Sequence, residues 1–163
     1  MSEIKITPAT EKDFAEIWRI FQSVIVKGDT YVNRAETTKD EARAKWMSKS
    51  AKTFIAKIDG KILGAYLLKP NQVDRGSHIG NASYIVDENC RGLGVGKALA
   101  LHSIHFAKEA GYKAIQFNFV VSTNSAAIKL WQSVGFRIIG TIPQAFNHKD
   151  LGYVDAYIMF REL

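Results

Sequence analysis

Cysteine is almost absent. Cys90 stands alone in a chain of 163 residues, so no disulfide framework can form within it, and a lone thiol suits a reducing compartment. Proline is scarce too, at three residues. No low-complexity stretch interrupts the chain, which argues against a disordered tail or a linker. No apolar run approaches the ~20 residues that span a bilayer. The start Met1-Ser2-Glu3-Ile4-Lys5 lacks the basic and apolar stretches of a signal peptide. The expectation is therefore a cytoplasmic protein that neither crosses nor anchors to a membrane. A dense basic run is also missing. Net charge is +6, but the cations are scattered from Lys5 and Lys12 through Lys39, Arg43, Lys45 and Lys49 to Lys57 and Lys61. That pattern argues against a nucleic-acid partner and leaves a solvated surface or the attraction of a polyphosphate ligand. His102 and His105 lie three apart with no third ligand near in sequence, so no metal site is expected.

What is present reads as one domain over residues 1–163. Its hydrophobic share of 47% and charged share of 23% are those of an ordinary globular protein. Ile4 to Ile6 alternates as a strand. Phe14, Ile17, Trp18, Ile20, Phe21 and Val24 recur at helical spacing behind Thr10 and Asp13, both able to cap. Val26 to Asn33 reads as a loop and Thr38 to Met47 as a helix. Thr53–Ile58 and Lys61–Leu68 flank Asp59-Gly60, a tight hairpin signal. Ile79–Val86 is a strand with Gly80 as a bulge position. An amphipathic helix runs from Val95 to Ala110, a strand from Ala114 to Val121, and a helix from Ser122 or Asn124 to Val134. Phe136–Thr141 and Tyr153–Arg161 close the chain as strands. The order β, α, α, β, β, β, α, β, α, β, β predicts an α/β fold, layered as α+β: a mixed, mainly antiparallel sheet of about seven strands with helices on both faces.

Between a strand and a helix sits Arg91-Gly92-Leu93-Gly94-Val95-Gly96-Lys97-Ala98. Glycines there let backbone approach a ligand closely, and the helix start supplies free N–H groups and a positive dipole end for an anion such as a pyrophosphate. Two common phosphate motifs fail. A dinucleotide fingerprint G-x-G-x-x-G begun at Gly92 ends on Lys97, and begun at Gly94 on Leu99. A P-loop would need glycine at Arg91 and Ser or Thr at Ala98.

The pattern that fits is [RQ]-x-x-G-x-[GA], carried by Arg91, Gly94 and Gly96. It resembles the coenzyme A-binding motif of the GNAT acetyltransferase superfamily. Downstream, Asn124 to Phe136, with Ala127, Trp131 and Gly135-Phe136, is similar to that superfamily's N-x-x-A helix and following strand. The resemblance implies a GNAT-like fold and acetyl-CoA as cosubstrate, with no metal. It implies that backbone N–H groups of Gly92, Leu93, Gly94, Val95, Gly96 and Lys97, beside Arg91, hold the pyrophosphate. It implies that Ile85 and Val86 pair with the pantetheine arm as a strand edge does, and that Asn124 reaches the pantetheine or phosphate region. The strands at Ile79–Val86 and Ala114–Val121 are expected to splay and admit the thioester. A homodimer is common in the superfamily, and the apolar C-terminal strand is the interface this suggests.

One departure concerns Trp131, which stands where many members carry a tyrosine held to protonate the leaving thiolate. An indole N–H is a donor only, so Tyr84 or water would have to substitute. A closer similarity joins Gly80 to Tyr84 and Phe117 to Asn124 to the fungal proline-analogue acetyltransferases, which act on azetidine-2-carboxylate, and to their bacterial relatives. It implies substrate-binding and catalytic roles for Asn81 and Asn118. Amides inside apolar strands need hydrogen-bond partners, which a ligand, a bulge or a neighbouring loop can supply. The expected activity is direct acetyl transfer to a small-molecule amine, an amino acid or proline analogue. Alternatives are a protein N-terminal or lysine acetyltransferase, which needs an open peptide groove, and a coenzyme A-binding sensor without catalysis. Asp87 and Glu88 at the strand end are the carboxylates available as a base through water. Cys90 beside Arg91 allows either a low-pKa thiol or an inert one. His148 and Asp150 fall in a late loop.

Overall fold

The computed structural model describes residues 3–163. Seven strands form a single sheet in the order β1-β2-β3-β4-β5-β7-β6. They are β1 (Lys5–Pro8), β2 (Lys52–Ile58), β3 (Lys61–Pro70), β4 (Ile79–Val86), β5 (Ala114–Val121), β6 (Arg137–His148) and β7 (Gly152–Glu162), with helices α1 (Phe14–Val26), α2 (Lys39–Trp46), α3 (Val95–Glu109) and α4 (Ser125–Ser133). All neighbouring pairs are antiparallel except β4 and β5.

Strand alternation sorts side chains between two cores. On one face Ile55, Ala65, Leu67 and Ile85 meet Phe14, Ile17, Ile20, Phe21 and Ile25 of α1 and Trp46 of α2. On the other, Phe54, Tyr66, Leu68, Ala82, Ile115 and Phe117 meet Leu99 and Ala107 of α3 and Trp131 of α4. Helices therefore cover both faces. The first turn of α3 lies close on β3. A Cβ at Gly64 would come within 2.9 Å of the Ile85 carbonyl oxygen and 3.0 Å of Leu99, so only glycine lets the helix start sit this near the sheet.

Helix starts follow the chemistry expected of them, with refinements. Thr10 donates its N–H and its hydroxyl to the Asp13 carboxylate at 2.8 and 2.9 Å, while its carbonyl accepts from Asp13 N–H at 2.9 Å. Thr38 and Glu41 exchange a capping box at 3.2 and 2.7 Å. Asn124 rather than Ser122 caps α4, accepting from Ala127 N–H at 3.3 Å.

Two expectations are corrected. Gly80 is not a bulge: β3 and β4 pair through it without a register shift. Its lack of a side chain serves close approach instead, since a Cβ would meet Leu68 at 3.1 Å. The strand expected to end at Thr141 continues to His148 past an irregularity between Ile142 and Phe146. Pro143 lies within that irregularity, where no ladder N–H is needed. There Gln144, at φ 47°, donates its N–H to Asp155 at 2.9 Å. The late loop thus becomes a short turn in which His148 Nδ1 accepts from the N–H groups of Asp150 (3.1 Å) and Leu151 (3.2 Å). β7 has both edges paired, and at that end of the sheet the edge strand is β6, where Ile138, Ile139 and Ile142 are exposed.

The end of β4 is tied down by Asp87. Its N–H donates to Leu63 O at 2.8 Å. Its carboxylate, 4% exposed, accepts from Arg19 at 2.8 Å and from the Asn89 backbone and side chain at 3.0 and 2.9 Å. Burial alone would raise the Asp87 pKa, but the Asn89 N–H and the Arg19 guanidinium outweigh it and hold it below the ordinary carboxylate value. A depressed carboxylate pKa contributes stability present above the unfolded value and lost as pH falls through the folded one. Asp87→Asn is expected to cost about 1–3 kcal/mol at pH 7. The gap to the native chain should close as pH drops below about 4. Urea denaturation at both pH values measures it, and a pH-independent gap would contradict this account.

Candidate active site

The parallel ladder between β4 and β5 has only two rungs, Ile79↔Ala114 and Gly80↔Ile115. Beyond them the strands diverge, and the Asn81 side chain donates to the Gln116 carbonyl at 3.0 Å across the opening. The wedge left between them is part of a cavity of about 550 Å³ lined by Ala82 to Val86, Phe117 to Val121, Asn124, Leu130 and Trp131. Its volume is in the range of small-molecule sites.

Backbone polarity of the β4 wall can be assigned residue by residue. Asp87 N–H bonds Leu63 O on β3, so by alternation Ile85 and Ser83 also face β3. Ala82, Tyr84 and Val86 turn their N–H and C=O groups into the cleft. The Tyr84 carbonyl confirms this parity, since it accepts from the Tyr31 hydroxyl at 2.7 Å. Of the two residues expected to offer a strand edge, Val86 has its backbone groups toward the cleft. Ile85 has them on β3 and its side chain in the α1/α2 core.

At one end of the cleft lies the glycine loop. Gly92 and Gly94 take φ of 81° and 78° with open space where a side chain would be. Gly96 is the close-approach glycine, with Leu130 3.4 Å from a would-be Cβ and Val86 3.9 Å away. α3 is unlike the other helices at its start. Gly94 provides no capping side chain and the first turn holds no acid. The N–H groups of Val95, Gly96 and Lys97 therefore lack intrahelical partners, and the dipole's positive end is uncompensated. Arg91 and Lys97 are exposed, and neither forms an ion pair among the described residues. Leu93 is exposed at the loop tip.

Trp131 is buried against Tyr84 (4.6 Å between rings) and Phe117 (4.8 Å). Tyr84 does not stand in as an acid. Its hydroxyl bonds Ser103 Oγ at 2.7 Å, and that hydroxyl already donates to Ala100 O. Burial pushes the Tyr84 pKa well above its ordinary value. Neither strand-end carboxylate lines the cleft: Asp87 is pinned as above and Glu88 is paired with Lys27. The Cys90 thiol is inert: burial first, then the nearby Asp87 charge, raises its pKa, and it donates to Asp87 O at 2.8 Å. His102 bonds the Tyr66 hydroxyl at 2.8 Å and belongs to the core. Among the described residues lining the cleft there is no Asp, Glu or His.

Asn81 and Asn118 both line the cavity, as does Asn124, but their states differ. Asn81 has its NH2 on Gln116 and its Oδ1 unpartnered among the described residues. Asn118 is exposed, beside a register shift in β5. It is held at both ends, donating to Asn71 at 2.6 Å and accepting from Gln116 at 2.9 Å.

Two lining residues escaped the sequence reading. Tyr31 comes from the loop joining α1 and α2, whose side-chain directions follow no period. Lys45 sits on α2 three residues after buried Ala42, and that spacing was the available signal. The loop itself is fastened by the Tyr31 hydroxyl and by Lys149 N–H on Gly28 O at 3.0 Å.

These features recur in known proteins. Residues 12–136 match the model of the acetyltransferase (GNAT) family. The chain is 42% identical over 106 residues to the N-acetyltransferase aca1 of Schizosaccharomyces pombe, an alignment covering 63% of this chain and 51% of that one. The chain thus spans about half the length of that relative. It is 29% identical to the L-amino acid N-acetyltransferase AaaT of Escherichia coli, over 99% of both chains. A solved GCN5-related N-acetyltransferase from Kribbella flavida superposes with a TM-score of 0.94 at 41% identity, covering 98% of each chain. With its parted strands, uncapped glycine loop and matching family model, the chain belongs to the acetyltransferase (GNAT) family.

Proposed function

We propose that the protein is an acetyl-CoA-dependent N-acetyltransferase that acts on the amine of a small molecule, with amino acids and proline analogues as the first acceptors to test. The carrying observation is the uncapped start of α3 opening onto the gap between β4 and β5. An anionic pyrophosphate fits the Gly92–Lys97 N–H groups and the unpaired Arg91 and Lys97. An amide-bearing arm fits the free backbone edge at Ala82, Tyr84 and Val86. The similarity to an L-amino acid acetyltransferase along its whole length supports the acceptor class.

When bound, acetyl-CoA supplies an activated acyl thioester. The chain's own contribution is placement and polarity. The cleft-facing N–H groups of Tyr84 and Val86 are donors for a carbonyl oxygen. Asn81 Oδ1 is an acceptor for an amine N–H, and Asn118, braced by Asn71 and Gln116, shapes the opposite wall. Because no carboxylate or imidazole lines the cleft among the described residues, the proton the acceptor gives up passes to solvent or to the departing thiolate as the C–S bond breaks. The rate gain then comes mainly from orientation. The loop carrying Tyr31 closes over the acceptor side and favours a compact substrate over a peptide.

Thiol release from acetyl-CoA across a panel of amines, including proline analogues and methionine derivatives, tests the reading. Release with at least one amino acid is expected. Coenzyme A binding without release from any amine would favour a sensor. Gly94→Val, strained at φ 78°, should weaken coenzyme A binding by roughly tenfold in calorimetry. Asn118→Ala should lower kcat/KM by about 10- to 100-fold with little change in Tm. An unchanged kcat/KM with the preferred amine would remove Asn118 from the site.

A further inference from the structure

We propose that Lys45 is the receptor for an anionic group on the acceptor, so that the cleft selects amines carrying a carboxylate over neutral or cationic amines. This inference rests on the N-acetyltransferase reading above and narrows its substrate class.

Among the described residues lining the cavity, Lys45 is the single charged one. No carboxylate pairs with it among the described residues. On its own helix, Glu41 is paired with Arg34, and Arg43 with Glu11. Its ammonium lies instead over aromatic faces, 4.7 Å from the Tyr31 ring centroid and 5.5 Å from that of Phe21. Cation–π contact of this kind steadies a lysine's position but leaves its hydrogen-bond donors unsatisfied. The phenol that carries the ammonium on its face also donates its hydroxyl to the Tyr84 carbonyl. Tyr31 therefore links the cation directly to the cleft edge where transfer would occur.

The surroundings make the cation costly to keep. Burial, and then repulsion from Lys69, lower the Lys45 pKa to about 8. Lys69 sits opposite Asn81 in the β3–β4 register, so a second positive charge flanks the same end. An incoming carboxylate relieves both penalties at once, because it supplies the missing acceptor and the missing countercharge. A cationic acceptor, such as a polyamine or a lysine side chain with its flanking basic residues, would add to them. Selectivity of this kind comes as much from repelling the wrong acceptor as from binding the right one.

The test compares kcat/KM for one amino acid with kcat/KM for the same compound as its primary amide, in the native protein and in Lys45→Met and Lys45→Arg. Comparing the acid-to-amide ratio between the native protein and each variant cancels the differing intrinsic reactivity of the two amines. Lys45→Met keeps an apolar stem on Tyr31 and Phe21, and is expected to fold at least as stably and to reduce the ratio by about 10- to 100-fold. Lys45→Arg should hold the ratio within a few-fold. An unchanged ratio in Lys45→Met, or equal loss with acid and amide, overturns the proposal while leaving the transferase reading intact. Loss with both acceptors in Lys45→Met and in Lys45→Arg would assign the lysine to proton transfer instead. No thiol release by the native protein with any amine of the panel would remove the transferase reading, and this inference with it.

Discussion

The parting of β4 from β5 is the constraint on which the rest of the site depends. Parallel strands gain from every rung, yet this pair stops after two. Gly80 makes the last rung with Ile115, and the Asn81 side chain supplies a substitute rung to the Gln116 carbonyl just where backbone pairing ceases. From there a wall of unpaired backbone opens on β4. Left to itself such a wall is a liability, because buried N–H and C=O groups need partners. One carbonyl finds Tyr31; the remaining cleft-facing groups are the polarity the cleft has to offer. The same divergence gives α3 its role. The helix start, held against β3 by Gly64 and reached through a loop anchored on Asp87, arrives at the wide end of the wedge with its N–H groups uncapped.

Chemistry in such a cleft is necessarily spare. Its lining lacks carboxylate and imidazole among the described residues, and its tyrosine hydroxyls at positions 31 and 84 are both engaged and raised in pKa by burial. What the chain can contribute is an aromatic-walled cleft and hydrogen-bond donors that need no reorganisation. The tryptophan at position 131 belongs to this picture. It completes the wall with Tyr84 and Phe117 and does not act as a proton source.

The backbone parts of this arrangement were legible in the sequence, because their signals are local. Gly92, Gly94 and Gly96 between a strand and a helix identify the loop, and Asp59-Gly60 identifies the hairpin. Alternation and helical spacing identify the elements. What was less legible depends on partners far along the chain. Pro143 reads locally as a strand end, yet β6 absorbs it in an irregularity supported by Asp155. Asn118 reads as an amide buried in an apolar strand, yet a shift in β5 turns it outward to Asn71. Cys90 beside Arg91 leaves an activated and an inert thiol both open until the fold sets it, buried, on the Asp87 carbonyl. Tyr31 carries no periodic signal at all, and Lys45 is one cation among many until α2 docks.

Charge shows most directly what the three-dimensional arrangement adds. A net charge of +6 spread along a chain says little about partners. In the fold, Arg91 and Lys97 stand unpaired at the glycine loop, while Lys45 and Lys69 stand near each other at the opposite, Tyr31-covered side. Most other cations near the site, such as Arg19, Lys27, Arg34 and Arg43, are matched by carboxylates. The unmatched ones therefore lie at the two ends of one apolar cleft. Two anion-seeking ends joined by a channel without acids suit a pair of ligands that each carry negative charge away from the reacting centre. On the proposed reading each end would hold its ligand by charge, and the uncharged walls between would favour neutral nitrogen, the nucleophilic form, over ammonium.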